Sequence, residues 1–492
     1  VGFFWAFQCV PTQDGPAHLA LAVVFKSLLA GDCPYRGYYE LNLTLAPYWT
    51  YHAVMVPLLS AFRPLAAEKI FLSWYLIAFA AAAWYFTKAA AGKASALGLL
   101  FFAVATSYPF QMGFYNFVAG LPVFLLTASF FWAGRERAGG RYWVVLNLLL
   151  AACYFSHLIA ALAGIVSIWG MALWSAFAAR RPERFTRAVL YLAPSYVLPA
   201  YYFLTWPVGE YYYRPLGLLV RGFISADTFV SFGPEQRPVA LAVASLYVLL
   251  LVAAAVSRVR RRELRPRPSD SFAALAALFV VVYLVAPHAT TQGSYFSERM
   301  ALFPILFITP WLAANLPRRL ARPAAVAAVV LALGNLVPLG RYYARENAKL
   351  KDFNSGCCAV ARGATMLPLI RDPTHFGRRV ESLRHAVGYY VVAGGGCNLV
   401  DICAGGDHFP IKHAPGVVPP RCLGSSCNLR VYDLEAARPA PDYVVAYDIN
   451  PFLPEVRAVF EKYRPVHFKG KLIVYERAAG RAGEGVTPMG VE

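Results

Sequence analysis

Asp14 and His18 stand four residues apart in Thr12-Gln13-Asp14-Gly15-Pro16-Ala17-His18-Leu19, directly after an apolar run over residues 1–10. Four residues is about one helical turn, so the carboxylate and the imidazole share a face if a helix starts here. Asp followed by Gly-Pro and an apolar stretch is a start signal, with Asp14 as the N-cap. A carboxylate at a helix N-terminus is held rigidly and favoured in its ionised form. That is what a general base or a metal ligand needs. An ionisable pair where a chain leaves a bilayer is a functional site by default.

Other groups join this pair as candidates. The first loop carries Asp32, Arg36 and Glu40 among Tyr35, Tyr38 and Tyr39; Glu40 is a second acid or substrate contact, or else a solvated loop residue. His157 interrupts the apolar stretch 142–178, where an ionisable group faces a cavity or headgroups rather than lipid tails. The segment 288–299 contains His288, Tyr295, Glu298 and Arg299 just before another apolar run. An arginine on an outer loop runs against the positive-inside bias and needs a reason. A phosphate is a good one, because guanidinium binds phosphate in bidentate fashion. Tyr295 and Glu298 then become substrate contacts. The loop 207–238, with Tyr211, Tyr212, Tyr213, Arg214 and Arg221, is aromatic enough to cover a lipid or a sugar.

The elements that must position these groups are membrane helices. The chain is 58% hydrophobic and 15% charged, and short arginine clusters separate its apolar runs. This is the pattern of a polytopic membrane protein. Much of the net charge of +19 falls in short loops between apolar runs, which speaks against a nucleic-acid interface. Runs of crossing length cover 67–87, 94–110, 112–133, 188–206, 239–256, 271–287, 300–316 and 323–340, and 142–178 divides in two at Ser156-His157. With the first run, about eleven spans are expected. Val1 lies inside that run, so cytoplasmic residues and part of a first helix are expected to precede it.

Five basic clusters set the orientation: Lys88/Lys93, Arg135/Arg137/Arg141, Arg180/Arg181/Arg184/Arg187, 258–267 and Arg318/Arg319/Arg322. With all five in the cytoplasm the spans alternate without conflict. Residues 10–66 then form an outer loop in which 48–62, with its Tyr48, Trp49, Tyr51 and His52, is an interfacial helix. The tail is outside as well. The expected fold is mostly α: a transmembrane bundle over 1–344, an exported α/β domain over 345–477 and a disordered end over 478–492. In the tail, 442–447 reads as a buried strand, 454–463 as a helix, and 464–468 with 471–475 as a hairpin around Lys469-Gly470. Cys357, Cys358, Cys397, Cys403, Cys422 and Cys427 lie there, with Cys9 and Cys33 flanking the first loop, and disulfides are expected over a zinc site. His375, His385, His408 and Asp407 are expected to be surface or structural groups.

This layout resembles the GT-C superfamily, polytopic glycosyltransferases that use polyprenyl-phosphate-linked sugars. The resemblance rests on the acid of the first outer loop, the Ala-Pro-Tyr-Trp interfacial helix, Ser156-His157 between short helices, and Gly-Ser-Tyr-Phe-Ser-Glu-Arg before a late span. Asp14-Gly-Pro-Ala-His18-Leu is similar to the Asp-x-x-x-His-Leu opening of bacterial members. It covers residues 1–340 and the plan of an exported C-terminal domain. It implies that Asp14 is the general base or helps hold a divalent cation (Mg or Mn), with His18 orienting it. Arg299, helped by His157, would grip the donor phosphate. The adjacent acidic pair carried by many members at the late loop is absent, which weighs against a metal. The expected activity is sugar transfer to a glycan, lipid or protein acceptor at the outer face of a bacterial inner membrane, with inversion at the anomeric carbon. Two other classes remain: a transporter or flippase of lipid-linked saccharide, and a non-catalytic membrane assembly protein, which would tolerate Asp14→Asn.

Overall fold

The computed structural model describes residues 1–478 apart from 32, 33, 36, 138, 207, 264, 372–377, 402, 403, 405–407, 427, 428, 434–436, 451–456, 458 and 459. The chain is mostly helical, with a small strand-containing region near its end. Five helices are long and apolar enough to cross a membrane: Pro64–Ala91, Tyr115–Gly134, Leu158–Ala179, Pro234–Arg260 and Arg318–Ala359. A sixth crossing is available if Glu183–Tyr191 and Ala193–Thr205, bent by 53° where Pro194 starts the second helix, count as one. About eleven were expected. The difference lies in shorter or broken pieces such as Gly140–Ser156, Asp270–Val285 and Phe303–Asn315. The run 94–110 is broken outright, into Ala96–Phe101, Phe102–Ala105 and Tyr108–Gln111, the last opened by Pro109.

The path nevertheless alternates between two ends of the bundle. At one end Asp14 donates its backbone N–H to the Met112 carbonyl (2.9 Å), and Thr12 bonds the Tyr115 hydroxyl (2.9 Å). At the other end Trp132 donates to the Ala89 carbonyl, Trp174 to that of Arg267, and Trp311 to the Asp270 carboxylate. Arg184 pairs with Glu136, and Arg258 with Asp270, at that same end. Small residues let the helices close up. A methyl group on Gly120 would sit 3.1 Å from the Ala160 Cβ, an approach typical of membrane helix packing.

Helix Arg318–Asn354 is 37 residues long, roughly 55 Å at 1.5 Å per residue. It carries the chain from the arginine-rich end to a mixed sheet, so the expected domain boundary at 345 falls inside a continuous helix. The sheet order is Tyr463–Lys469, Leu472–Arg477, Tyr443–Tyr447, Thr365–Ile370, Cys397–Asn398. Tyr443–Tyr447 is buried at every residue because it lies between a parallel and an antiparallel neighbour. The hairpin turns at Gly470, φ +59. Half of the expected helix 454–463 falls outside the described residues and its last position, Tyr463, opens a strand; the end beyond 478 lies wholly outside them.

This C-terminal part is stitched to the first loop. Tyr39–Leu41 pairs antiparallel with Ile411–His413, and helix Gly388–Gly394 packs on Gly15–Ala30. The approach there is close: a Cβ on Gly388 would lie 2.2 Å from the Pro16 carbonyl oxygen. The expected disulfides are not formed at Cys9, Cys357 or Cys358, which are thiols. Cys33, Cys403 and Cys427 lie outside the described residues.

Candidate functional site

Asp14 precedes helix Gly15–Ala30 as its N-cap, but its side chain makes no capping bond. The carboxylate is turned instead toward the C-terminal part, where His385 Nε2 lies 3.6 Å from Oδ1. Gln13 Nε2 donates to the same oxygen (3.2 Å), while Gln13 Oε1 accepts from the Glu381 backbone N–H (3.2 Å). Burial pushes the Asp14 acid up to about 6; the Gln13 hydrogen bond and the guanidinium groups of Arg384 and Arg299 act against that rise. Gly113, φ +82, brings its turn against this residue so closely that a Cβ there would meet the Gly15 nitrogen at 2.5 Å.

Arg299 sits on the short helix Phe296–Met300, only 9% exposed. Its guanidinium stacks on Phe114, 4.0 Å from the ring centroid, and donates from Nη1 to the Ser294 carbonyl (2.5 Å). Nε has no hydrogen-bond partner. Among the described residues no carboxylate forms an ion pair with it. Burial draws its pKa down, opposed by the electrostatic influence of Tyr48, Glu298, Asp14 and Tyr295, so the cation and Asp14 lie within electrostatic range of one another. A buried cation left unpaired is costly, and a charge of opposite sign is what relieves it.

His157 occupies the break between Gly140–Ser156 and Leu158–Ala179, with an extended backbone. Its Nδ1 accepts from the Ile159 N–H (3.1 Å), which leaves the proton on Nε2. Burial, with Arg299 and His408 nearby, holds the ring well below its usual pKa. His157 is therefore a neutral donor.

An aromatic wall joins these groups. Tyr48 lies 4.9 Å from the His157 ring, 5.5 Å from His408 and, stacked, 5.2 Å from Phe409. Tyr48 (φ +77) and Tyr295 (φ +63) both hold left-handed backbones, a strain that clusters at functional sites. The Tyr295 ring faces Phe114 and His288 at 5.7 and 5.5 Å.

Asp14, His157, Arg299 and Tyr295 thus share one neighbourhood, but three expected roles differ in the structure. His18 does not orient Asp14. It packs among Tyr51, Tyr115 and Phe409, burial lowers it to about 3, and its Nδ1 has no partner. Glu40 pairs with Lys412 (2.8 Å) across the Tyr39–Leu41 strand pairing instead of joining the acid. Glu298 is bound by Arg214 (2.6 Å) and lies 3.3 Å from His288. It lines a neighbouring cavity of about 250 Å³ with Ser297, Tyr108 and Arg379.

His385 and His408, expected as surface or structural groups, lie in this neighbourhood instead, with Arg384 and Phe409, which sequence reasoning passed over. No spacing in the chain ties them to residue 14. Their one signal was the clustering of His and aromatic residues in a tail otherwise poor in motifs. His375 and Asp407 fall outside the described residues.

Among the described residues no three His, Cys, Asp or Glu side chains are grouped to hold a metal. Asp14 has two guanidinium groups as electrostatic neighbours, a poor setting for a divalent cation, so the donor set does not fit one. Comparison with protein-family models, with curated proteins and with solved structures finds no match.

Proposed function

We propose that the protein is an integral membrane glycosyltransferase. It moves a sugar from a polyprenyl-phosphate-linked donor to a glycan, lipid or protein acceptor at the outer face of a bacterial inner membrane. In this reading the alternating path makes about eleven crossings and the sheet-bearing part from 345 onward is exported.

The observation that carries the reading is Arg299: a buried, aromatic-stacked guanidinium with no carboxylate partner, in electrostatic range of a buried acid held at about 6. Opposite charges that are near but unpaired leave room for a ligand with an anion at one end and a proton to give up at the other. Arg299 takes the phosphate, and the neutral His157 supplies a further donor from Nε2. As the acceptor oxygen bonds to the anomeric carbon, its proton passes to Asp14. The bond from that carbon to the phosphate oxygen breaks, and its electron pair leaves on the phosphate facing Arg299. The Tyr48–Phe409 wall offers flat apolar faces for a sugar ring.

The test is transfer from a synthetic polyprenyl-phosphate sugar by protein reconstituted in liposomes, alongside binding of the sugar-free polyprenyl phosphate. Binding lost in Arg299→Gln, with transfer lost but binding kept in Asp14→Asn, is the expected pair of results. Transfer undiminished in Asp14→Asn sinks the proposal.

A further inference from the structure

The far end of the bundle holds a second feature that the sugar-transfer reading does not use. A cleft of about 1040 Å³ opens there, lined by Lys93, Arg261, Arg318, Arg319 and Arg322 together with Asn315. None of the five cations pairs with a carboxylate among the described residues; Arg261 only donates to the Ser257 hydroxyl (2.8 Å). The cleft also receives the start of helix Arg318–Asn354, whose N-cap, Pro317, gives no side-chain bond and whose first turn has no acid. The uncapped N–H groups and the positive pole of that long helix therefore add to the arginines. Asn315 is the most telling group. It is 5% exposed, its Nδ2 is used on the Trp311 carbonyl (2.9 Å), and its Oδ1 has no partner. A buried acceptor without a donor calls for a hydroxyl or N–H from outside the chain.

We propose that this cleft binds the headgroup of an anionic phospholipid from the leaflet opposite the Asp14 site. The inference rests on the membrane reading and is independent of the sugar-transfer chemistry. Two observations favour a lipid over a soluble phosphate compound. Helix Pro64–Ala91 has Glu68 bonded to Tyr115 near the Asp14 end and Ala91 in the cleft wall. Twenty-three residues separate them, roughly 35 Å of helix, which is about the thickness of a bilayer's hydrocarbon core. The cleft therefore stands at the level of the opposite headgroups. An apolar stripe also leads away from it: Val326, Val330, Leu333 and Val337 follow Arg322 at steps of four, four, three and four, all more than half exposed. With the phosphate at Arg322 and the helix start, an acyl chain lies along that stripe, and a headgroup hydroxyl reaches Asn315 Oδ1. Basic pockets between membrane helices on the cytoplasmic side bind acidic headgroups for the same reason.

The full chain, purified in mild detergent, is examined by native mass spectrometry and by titration with a fluorescent phosphatidylglycerol or phosphatidylcholine in mixed micelles. One retained anionic phospholipid per chain is expected, with phosphatidylglycerol clearly preferred. Arg318→Gln/Arg319→Gln/Arg322→Gln is expected to weaken phosphatidylglycerol on the order of a hundredfold, about fivefold per charge. Asn315→Leu removes the acceptor with every charge kept and is expected to weaken it by about tenfold; it decides the matter if the triple variant fails to insert. The control Arg137→Gln/Arg141→Gln/Arg187→Gln, with the same charge loss at the same end, is expected to bind as wild type does. Equal loss in the control means diffuse attraction only and overturns the site. So does equal binding of phosphatidylcholine, or tripolyphosphate displacing the lipid at comparable concentration. Loss of transfer in Asp14→Asn leaves all these results unchanged, so the two proposals fail separately.

Discussion

The acid limb of the pH profile is the sharpest consequence of where Asp14 lies. A base must be ionised to work, and burial holds this acid at about 6 in place of the ordinary 3.8. The groups facing it are Gln13, His385, Arg384, Arg299 and Glu381, and the two guanidiniums do not outweigh the loss of water. At pH 5 an acid of pKa 6 is ionised about one time in eleven, whereas one of 3.8 would be ionised more than nine times in ten. Wild-type kcat/KM is therefore expected to fall roughly tenfold between pH 7 and pH 5, and Asp14→Asn to cost about 10²–10⁴ in turnover at pH 7. The measurement is initial-rate transfer in liposomes from pH 4.5 to 8. A plateau that persists down to pH 4.5 would refute the argument.

Stability gives an independent check with the opposite sign. Because the folded-state pKa is raised, the unfolded chain releases this proton at lower pH than the folded one. The stability that Asp14 contributes is full below about 3.8 and is lost as pH rises through about 6. The loss is of order 3 kcal/mol, taking about 1.4 kcal/mol per pH unit. Asp14→Asn escapes it. Thermal unfolding in detergent should show the variant gaining on wild type between pH 4 and pH 8, although it is the less active protein. Parallel curves would mean that the carboxylate is better solvated than its burial implies.

The other expectations follow from single contacts. Arg299→Lys keeps the charge but not the fork, and Arg299→Gln keeps neither; polyprenyl-phosphate affinity should fall in that order, by about 10-fold or more for Gln, as read by equilibrium binding. His157→Asn retains an N-cap acceptor for the Ile159 N–H yet removes the Nε2 donor, so kcat should drop about 10²-fold with little change in melting temperature. Gly388→Ala forces a methyl group against the Pro16 carbonyl and should cost about 1–3 kcal/mol, read as a lower melting temperature with transfer reduced in proportion. Glu40→Gln breaks only a half-exposed ion pair with Lys412 and should leave transfer within about twofold.

Hydropathy and charge made the large features legible, because a bilayer imposes its own grammar. The break at His157 was readable: a polar residue in the middle of an over-long apolar run has few places to go. The single run 94–110 was misread as one element because Ser107 and Pro109 break it in a way that mean hydropathy does not register. Asp14 and Arg299 were legible for a similar reason, each being a charge at the mouth of an apolar run. The partner of Asp14 was not. An i,i+4 pair predicts a shared face, yet the N-cap turned the carboxylate toward His385, 371 positions further on, and His18 into an aromatic nest. Long-range pairing of that kind leaves no local period to read.

The joint between the two halves bears on function as much as on fold. Asp14 is held from one side by the Met112 backbone and from the other by Gln13 and His385, and Gln13 in turn accepts from the Glu381 N–H. His408 and Phe409 complete the Tyr48 wall from the same C-terminal part. A bundle lacking that part would leave the acid solvated and return it toward an ordinary pKa, removing the acid limb near 6. The sheet then has a physical task that needs no active residue within it. It anchors the segments carrying Arg384, His385, His408 and Phe409, so that under the proposed function Asp14 and Arg299 stay buried and unpaired with each other until an anionic ligand comes between them.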